Sequence, residues 1–202
     1  MTPEDVERFE RCIADGGVAL FPADTVYGLA ADPGSQAAVD RLYALKARAP
    51  ARPAAVMFFD RDRALAELGA LGPRTRAALE RLLPGAVTVV LPNRDGLYPP
   101  ACGAQPDRLG VRVPRLAGGL APLAAMPRPV LQSSANPSGG ADPRELGEVD
   151  TSIRGRVDLE LDGNRLPGVP STVVDLTGYE EDGAFSVLRW GAVPRAEIAE
   201  RL

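Results

Sequence analysis

The sequence predicts an α/β fold in which helices flank a twisted, mixed β-sheet, with residues 1–202 forming a single domain. Continuous apolar runs, typical of strands covered on both faces, are interleaved with helical patterns, and several strand-like runs late in the chain follow one another. Strands that alternate with helices favour parallel pairing, whereas strands that follow one another favour antiparallel pairing. We therefore expect a mixed sheet. A length of 202 residues with 45% hydrophobic content suffices for one core.

The helices are predicted from their caps and from apolar residues at helical spacing. The first begins at Thr2, an N-cap followed by Pro3 at the first helical position, and stops at Gly16-Gly17. Further helical patterns cover residues 35–46, 61–70, 73–83, 116–125 and 194–201.

The strands are predicted from short apolar runs. The first run, 18–21, directly follows the first helix, and similar runs lie at 54–59, 87–91, 130–131 and 172–176. Residues 157–161 alternate strictly between apolar and polar, which predicts a half-exposed or edge strand. The Pro/Gly-rich stretches 92–106 and 136–143 predict loops within the domain.

Composition excludes several kinds of function. A net charge of -4 argues against a general nucleic-acid coat protein, although a local basic groove stays possible. The absence of histidine removes Ser-His-Asp and Cys-His triads and histidine zinc sites. Cys12 and Cys102 lie far apart and indicate neither a disulfide framework nor a metal cluster. With no targeting segment and no run long enough to span a bilayer, we expect a soluble protein of the reducing cytoplasm with no membrane partner.

The basic segment 46–53 is the first candidate for binding. Lys46 is the chain's one lysine beside 22 arginines, and with Arg48 and Arg52 it places three cations within seven residues. Pro50 and Pro53 should stiffen the segment and hold the cations together, so a polyanion is the natural guest. The simpler alternative is that these cations only stabilise a helix C-terminus, an effect of about 0.3 to 1 kcal/mol per charge.

Three further polar segments interrupt the apolar strands at their ends, where α/β proteins place ligands. In segment 21–29, Thr25 follows Asp24. Taken in isolation, this segment is typical of an ordinary turn in which Asp24 caps a backbone amide. In 131–140, Ser134 and Asn136 precede glycines that can wrap a phosphate, although a polar surface loop is an alternative. The last comprises 170–176 with 188–191 downstream. Separately, Arg112 stands between two valines and should point off the opposite face of the sheet.

Taken in order, these segments resemble the YrdC-like threonylcarbamoyl-adenylate synthases. The resemblance runs from Gly17 to Gly191 through seven motifs in register: P-x-D-T-V-Y-G-L, L-K-x-R-x-x-x-R-P, L-P-G-x-V-T, G-V-R-V-P, S-S-A-N-x-S-G, S-T-V-V-D-L and L-R-x-G. It implies a YrdC-like fold and the short, single-domain bacterial form of the family.

The resemblance also implies an activity. Members of the family join L-threonine, bicarbonate and ATP into threonylcarbamoyl-adenylate and pyrophosphate, and a downstream tRNA threonylcarbamoyl transferase complex uses the product. We therefore expect ATP as a substrate together with Mg²⁺, whose ligands the sequence does not identify, and direct tRNA binding stays open.

Carried over by motif, the resemblance implies a role for nine residues. Lys46 and Arg48 would be catalytic. The residues expected to hold ATP are Lys46, Arg48, Arg52, Ser134, Asn136 and Arg189. Those expected to hold threonine are Thr25, Arg112 and Ser171, with Arg112 facing the carboxylate in a forked pairing.

Three departures from the family pattern leave other interpretations open. Ala23 stands where a threonine is usual, Arg52 where a lysine or asparagine is usual, and Met57 where some members place a histidine that contacts threonine. The amino-acid substrate could therefore differ. The alternatives are a paralogue that forms a related carbamoyl-adenylate for another acceptor and a non-catalytic module that binds RNA or ribosomes.

Overall fold

Nine strands form one mixed sheet in the computed structural model, which describes residues 1–49, 51–69 and 71–202. In chain order the strands are β1 (Ala19–Pro22), β2 (Tyr27–Ala31), β3 (Ala55–Met57), β4 (Val87–Pro92), β5 (Arg108–Arg112), β6 (Val130–Ser134), β7 (Leu159–Glu160), β8 (Thr172–Asp175) and β9 (Ser186–Arg189). Their order in the sheet is β7-β1-β2-β6-β3-β5-β4-β8-β9.

The strand pairing confirms the prediction of a mixed sheet. Strand β1 pairs with β7, β3 with β5, and β4 with β8 in parallel, while the other neighbours are antiparallel. The alternating segment 157–161 contributes β7 at one edge of the sheet, as predicted. That residues 1–202 form one domain stays a prediction.

Eight α-helices and two 3₁₀ helices connect and flank the strands in the described part of the chain. The α-helices are α1 (Pro3–Ala14), α2 (Gln36–Leu45), α3 (Arg61–Glu67), α4 (Pro73–Leu82), α5 (Pro99–Cys102), α6 (Thr151–Arg154), α7 (Tyr179–Asp182) and α8 (Arg195–Arg201). The 3₁₀ helices are Gly118–Ala125 and Leu146–Glu148. None of the helices in this part of the chain combines the length and the apolarity that crossing a membrane requires.

Helix α1 begins as its sequence predicts and closes the core on one face of the sheet. Thr2 and Asp5 form a reciprocal capping box, with the Asp5 amide 3.2 Å from Thr2 Oγ1 and the Thr2 amide 2.9 Å from Asp5 Oδ2. Phe9 on the inner side of the helix packs against Phe21 and Phe59, with ring centroids 5.0 and 6.0 Å away. The cap and this aromatic cluster fix where the chain enters β1.

Several boundaries differ from the predicted ones for local reasons. The predicted helix 116–125 is a 3₁₀ helix from Gly118, with a proline inside it that cannot donate to an α-helical ladder. Helix α3 ends at Glu67, and Ala70, the predicted end, lies outside the described residues, as does Pro50 of the basic segment. The predicted loop 92–106 contains α5.

The apolar runs predict neither β2 nor β9, and β5 is indicated only by the valines that flank Arg112. Strand β2 contains a glycine and two alanines, residues of low strand preference, and it forms because β1 and β6 pair with it on both sides. Strand β9 is largely exposed and lacks the apolar run that marks a buried strand.

Thr172 fastens the segment after β9 to the start of β8. Its buried hydroxyl donates to Val193 O at 2.7 Å and lies 3.0 and 3.1 Å from the amides of Gly191 and Val193. Gly191 also lies so close to the residues before β8 that a Cβ atom there would stand 2.1 Å from Pro170 O. This junction holds the end of β9 beside Ser171.

We predict that Thr172→Val lowers the free energy of unfolding by about 2 to 3 kcal/mol, because the isosteric side chain leaves two amides and a carbonyl without their partner. Urea denaturation would measure the change. Thr151→Val, at an exposed position of α6, is the matched control and should stay within about 0.5 kcal/mol of the parent. Equal stability of the two variants would contradict this account of the junction.

Candidate functional site

A cleft with a volume of about 320 Å^3 opens on one face of the sheet, where several of the polar segments meet. Strands β4, β5, β6, β8 and β9 contribute to its lining, together with the loop before β3. Five of the nine residues singled out from the sequence line it: Arg48, Arg112, Ser134, Ser171 and Arg189.

Three more of the nine stand directly behind the lining. Thr25 is bonded to Arg112, while Lys46 and Asn136 are bonded to Ser134. Arg52 is exposed and is not a lining residue, so its role stays a prediction. The structure thus brings segments that are far apart in sequence to one cleft.

Lys46 joins the end of α2 to the loop after β6. It is the C-cap of α2 and is 2% exposed, and its ammonium donates to Ser134 O, to Asn136 O at 2.7 Å and to Asn136 Oδ1 at 3.2 Å. In return, the amide of Ser138 donates to Lys46 O at 3.0 Å. An ammonium has three donors, and here each has an acceptor in one loop. Lys46 therefore shapes the 134–138 loop from behind.

Asn136 continues this network toward the cleft. Its Oδ1 accepts from Ser134 Oγ at 2.6 Å, and its Nδ2 donates to Gly140 O. The Ser134 side chain is thereby oriented at the cleft wall. The result is a loop of hydroxyl and backbone groups around a fixed positive charge, an arrangement suited to an anion.

Arg48 is held at the cleft by the basic segment itself. Its guanidinium donates to Pro53 O at 2.6 Å and lies 5.4 Å from the centre of the Tyr43 ring, a cation–π contact. The Tyr43 hydroxyl in turn donates to Arg52 O at 2.8 Å. The Nε of Arg48 is buried and has no partner among the described residues.

Arg112 is buried with a carboxylate that the sequence analysis gave only a capping role. Its Nη2 donates to Asp24 Oδ1 and, at 2.6 Å, to Thr25 Oγ1, and the side chains of Arg112 and Asp24 are 3% and 7% exposed. The other Asp24 oxygen accepts a hydrogen bond from the Arg115 amide at 2.9 Å. Asp24 therefore does cap a backbone amide, but one that is distant in sequence. The Nε of Arg112 is buried without a partner among the described residues, so the guanidinium keeps an unused donor.

Ser171 and Thr88 form a hydroxyl pair in the cleft. Their oxygens are 2.8 Å apart, and Arg189 Nη2 donates to Ser171 O at 2.8 Å and lies 3.3 Å from its hydroxyl. Ser171 is therefore fixed between a second hydroxyl and a guanidinium. Thr88 belongs to the L-P-G-x-V-T motif, but its role was not foreseen.

Charge in the site is mostly positive and partly compensated by Asp142. Burial, and then Arg48, lower the pKa of Lys46 to about 8, while Asp142 acts in the opposite direction. Burial of the guanidinium also lowers the pKa of Arg189, although the residue as a whole is exposed. The charge of Asp142 raises this pKa, and that of Arg48 lowers it further. Burial lowers the pKa of Arg112 against the opposing effect of Asp24. An anionic ligand would relieve this excess of positive charge.

Two of the departures from the family pattern lie away from the cleft surface. Ala23 and Met57 are fully buried, and neither is a lining residue. The residues that sequence reasoning passed over are Asp24, Thr88, Gln132 and Asp142. The first three belong to or adjoin recognised motifs. Thr88 and Gln132 line the cleft, and the Asp24 side chain is buried against Arg112, which distinguishes them from ordinary turn or strand residues.

Comparison with known proteins agrees with this geometry. The model of the Sua5/YciO/YrdC family, described as telomere recombination, matches residues 11–191. The chain is 31% identical over 189 residues to the threonylcarbamoyl-AMP synthase of Pyrococcus abyssi, covering 92% of this chain and 54% of that protein. It is 34% identical over 158 residues to the threonylcarbamoyl-AMP synthase of Nitrosococcus oceani, covering 76% of this chain and 82% of that protein.

A solved structure confirms the expected fold. The crystal structure of P. abyssi Sua5 complexed with L-threonine matches with a TM-score of 0.86 at 27% identity, covering 100% of this chain and 58% of that one. The chain spans about half the length of the P. abyssi protein, 54%.

We predict that Lys46 titrates at about pH 8, below its ordinary pKa of 10.5. The folded protein releases this proton at a lower pH than the unfolded chain does. Burial of the ammonium therefore lowers the free energy of unfolding below pH 8, and this loss disappears as the pH rises from 8 to 10.5. Lysine labelled with ¹³C reports this residue alone, since the chain has one lysine. A midpoint close to 10.5 would contradict the burial argument.

Proposed function

This chain belongs to the Sua5/YciO/YrdC family, and from that premise we propose that it is an L-threonylcarbamoyladenylate synthase. In this proposal it converts L-threonine, bicarbonate and ATP into threonylcarbamoyl-adenylate and pyrophosphate. Two relatives named threonylcarbamoyl-AMP synthase, each more than 30% identical to this chain, support the assignment.

The observation that carries the proposal is the convergence of the Lys46, Ser134 and Arg189 segments on one cleft. These segments are separated by more than 50 residues at each step, from 46 to 134 and from 134 to 189. Two of the three buried side-chain nitrogens that lack a partner in the described chain, those of Arg48 and Arg112, belong to residues lining this cleft. Unpaired buried donors are costly, and an anionic substrate would satisfy them.

The reaction needs no histidine. The threonine nitrogen, once deprotonated, bonds to the carbon of bicarbonate and water leaves, which gives a carbamate. A carbamate oxygen then attacks the α-phosphorus of ATP, and the bond from that phosphorus to the bridging oxygen breaks as pyrophosphate leaves. Such transfers depend on positioning and on stabilising charge at phosphate oxygens, which lysine, arginine and hydroxyl groups can do.

We assign the two substrates to the two networks of the cleft. The nucleotide takes the network around Lys46, with Ser134 and Asn136 on the loop and the cations Arg48, Arg52 and Arg189. Lys46 and Arg48 act as the catalytic cations. Threonine takes the network of Thr25, Arg112 and Ser171, with Arg112 directed at the carboxylate. The unused Nε of Arg112 supports this role, since Asp24 and Thr25 occupy only its Nη2.

Mg²⁺ enters this proposal with the nucleotide. The described residues hold no group of three or more side chains that could ligate a metal. We propose that substrate phosphates hold most of the ion, as is usual for Mg²⁺ bound with a nucleotide. The charge of Asp142 acts on both Lys46 and Arg189, so this carboxylate lies near the proposed nucleotide site. The ion would neutralise charge on the phosphates.

The proposed function also implies where the protein works and what uses its product. We propose a cytoplasmic location, which the free thiols of Cys12 and Cys102 support. The product is a reactive mixed anhydride, and we propose that a tRNA threonylcarbamoyl transferase complex consumes it.

We predict that the protein releases pyrophosphate only when ATP, L-threonine and bicarbonate are all present. Each omission should reduce release to background, because the attacking carbamate forms from threonine and bicarbonate. A coupled pyrophosphate assay with single omissions measures this. Release that does not depend on threonine would exclude the proposed function, and another amino acid replacing threonine would identify a paralogue.

We predict that Lys46→Met lowers kcat by about 10² to 10³, the scale seen when one fixed stabiliser of transition-state charge is removed. Methionine keeps the volume of the lysine stem but removes the ammonium. Arg94→Met is the control, because Arg94 is exposed and forms no hydrogen bond or ion pair within the described residues. Unchanged kinetics in Lys46→Met would mean that Lys46 only caps α2 and has no part in catalysis.

A further inference from the structure

Gln132 carries an amide that faces the cleft and has no partner within the described chain. The residue is 8% exposed and lines the cleft from β6. Neither its oxygen nor its nitrogen forms a hydrogen bond with any residue that the structure describes. The fully buried, unpartnered side-chain nitrogens of the described chain belong to Arg48, Arg112 and Arg128, so the Gln132 amide is open to the cleft and available to a ligand.

The neighbours of Gln132 make room for its amide. It pairs with Ala30 of β2 and Ala55 of β3, both small residues. Gly28 lies under the amide, and a Cβ atom there would stand 2.7 Å from Gln132 Nε2 and 3.1 Å from Ser133 O. Glycine at position 28 therefore permits the amide to occupy its place.

The position of Gln132 relates it to both proposed substrate sites. It precedes Ser134, assigned to the nucleotide, by two residues on the same strand. Gly28, against which its amide lies, follows Thr25, assigned to threonine, by three residues and pairs with Ser134. The amide thus lines the same cleft as residues assigned to both substrates.

The chemistry of an amide selects that group. A primary amide offers donors on nitrogen and an acceptor on oxygen, so it can form two hydrogen bonds with a partner that presents one of each side by side. A carbamate does this with its N–H and its neighbouring oxygen. Arginine and lysine bind the oxygens of a carbamate, but they have no acceptor for its N–H.

We propose that Gln132 recognises the carbamate group formed on the amino-acid substrate, with Nε2 donating to a carbamate oxygen and Oε1 accepting the carbamate N–H. This inference rests on the proposed function. Gln132 thereby distinguishes the carboxylated amino acid from the free one, whose ammonium has no acceptor to offer the Gln132 nitrogen. It also holds the attacking oxygen toward the nucleotide.

The test uses Gln132→Met, which keeps length and removes both hydrogen-bonding groups. We expect KM for bicarbonate in the pyrophosphate assay to rise about tenfold, the effect of losing a net hydrogen bond or two. KM for ATP should stay within about twofold. Gln36→Met, on the exposed face of α2, is the matched control and should leave all constants unchanged.

A binding measurement separates this inference from the proposed function. N-carbamoyl-L-threonine is a stable analogue of the carbamate whose terminal amide presents an N–H beside the carbonyl oxygen, and calorimetry should show about tenfold weaker binding to Gln132→Met, with L-threonine binding unchanged. Unchanged bicarbonate KM and unchanged probe binding would overturn the role of Gln132. Failure of the parent protein to release pyrophosphate would instead overturn the function, while probe binding still tests Gln132.

A second variant guards against loss of folding. Gln132→Glu has the same shape but repels the carbamate oxygens, so we expect a larger rise in bicarbonate KM than with methionine. Thermal melting should show that Gln132→Met folds, because Gln132 forms no hydrogen bond within the described chain that methionine would remove. Normal bicarbonate KM in a folded Gln132→Glu would also overturn the role.

Discussion

The site depends on one constraint, the buried ammonium of Lys46. A charge removed from water must find acceptors, and this one finds them in Ser134 and Asn136, 88 and 90 residues away in sequence. The interaction therefore fixes the end of α2 against the loop after β6. It determines where the Ser134 hydroxyl and the neighbouring Arg48 stand. The same burial lowers the pKa of Lys46, so a nearby anion would favour the charged form of the group that organises the loop.

The cleft combines satisfied and unsatisfied groups in a consistent way. Asp24 compensates the buried charge of Arg112, which allows the guanidinium to remain in the core of the site, yet the Nε of Arg112 stays unpaired. Arg48 has the same feature, and Gln132 keeps a whole amide free. The unpaired Nε groups of Arg48 and Arg112 cost free energy in the unliganded protein. The cost can be recovered on binding, because both residues line the same cleft.

Sequence reasoning succeeded where one physical rule dominates locally. Thr2 and Pro3 set the start of α1, since a cap and a fixed φ act within a single turn. The alternation at 157–161 marked an edge strand, because an edge strand shows one face to water. It failed at β2, which is fully buried yet poor in strand-forming residues, because its pairing with β1 and β6 outweighs intrinsic preference. It also left Asp24 as a turn residue, since its pairing with Arg112 spans 88 residues.

The sequence by itself determined the fold class, the family resemblance and the chemical character of the site, because residue types and their order along the chain carry that information. Only the tertiary structure decided which of those residues face the cleft and which stand behind it. Lys46 and Asn136 proved to be supports of Ser134, Arg52 lies exposed, and Gln132 emerged as a free amide. The physical reason is that a side chain's partners are set by distances between remote segments, and burial turns each missing partner into a cost that local sequence does not reveal.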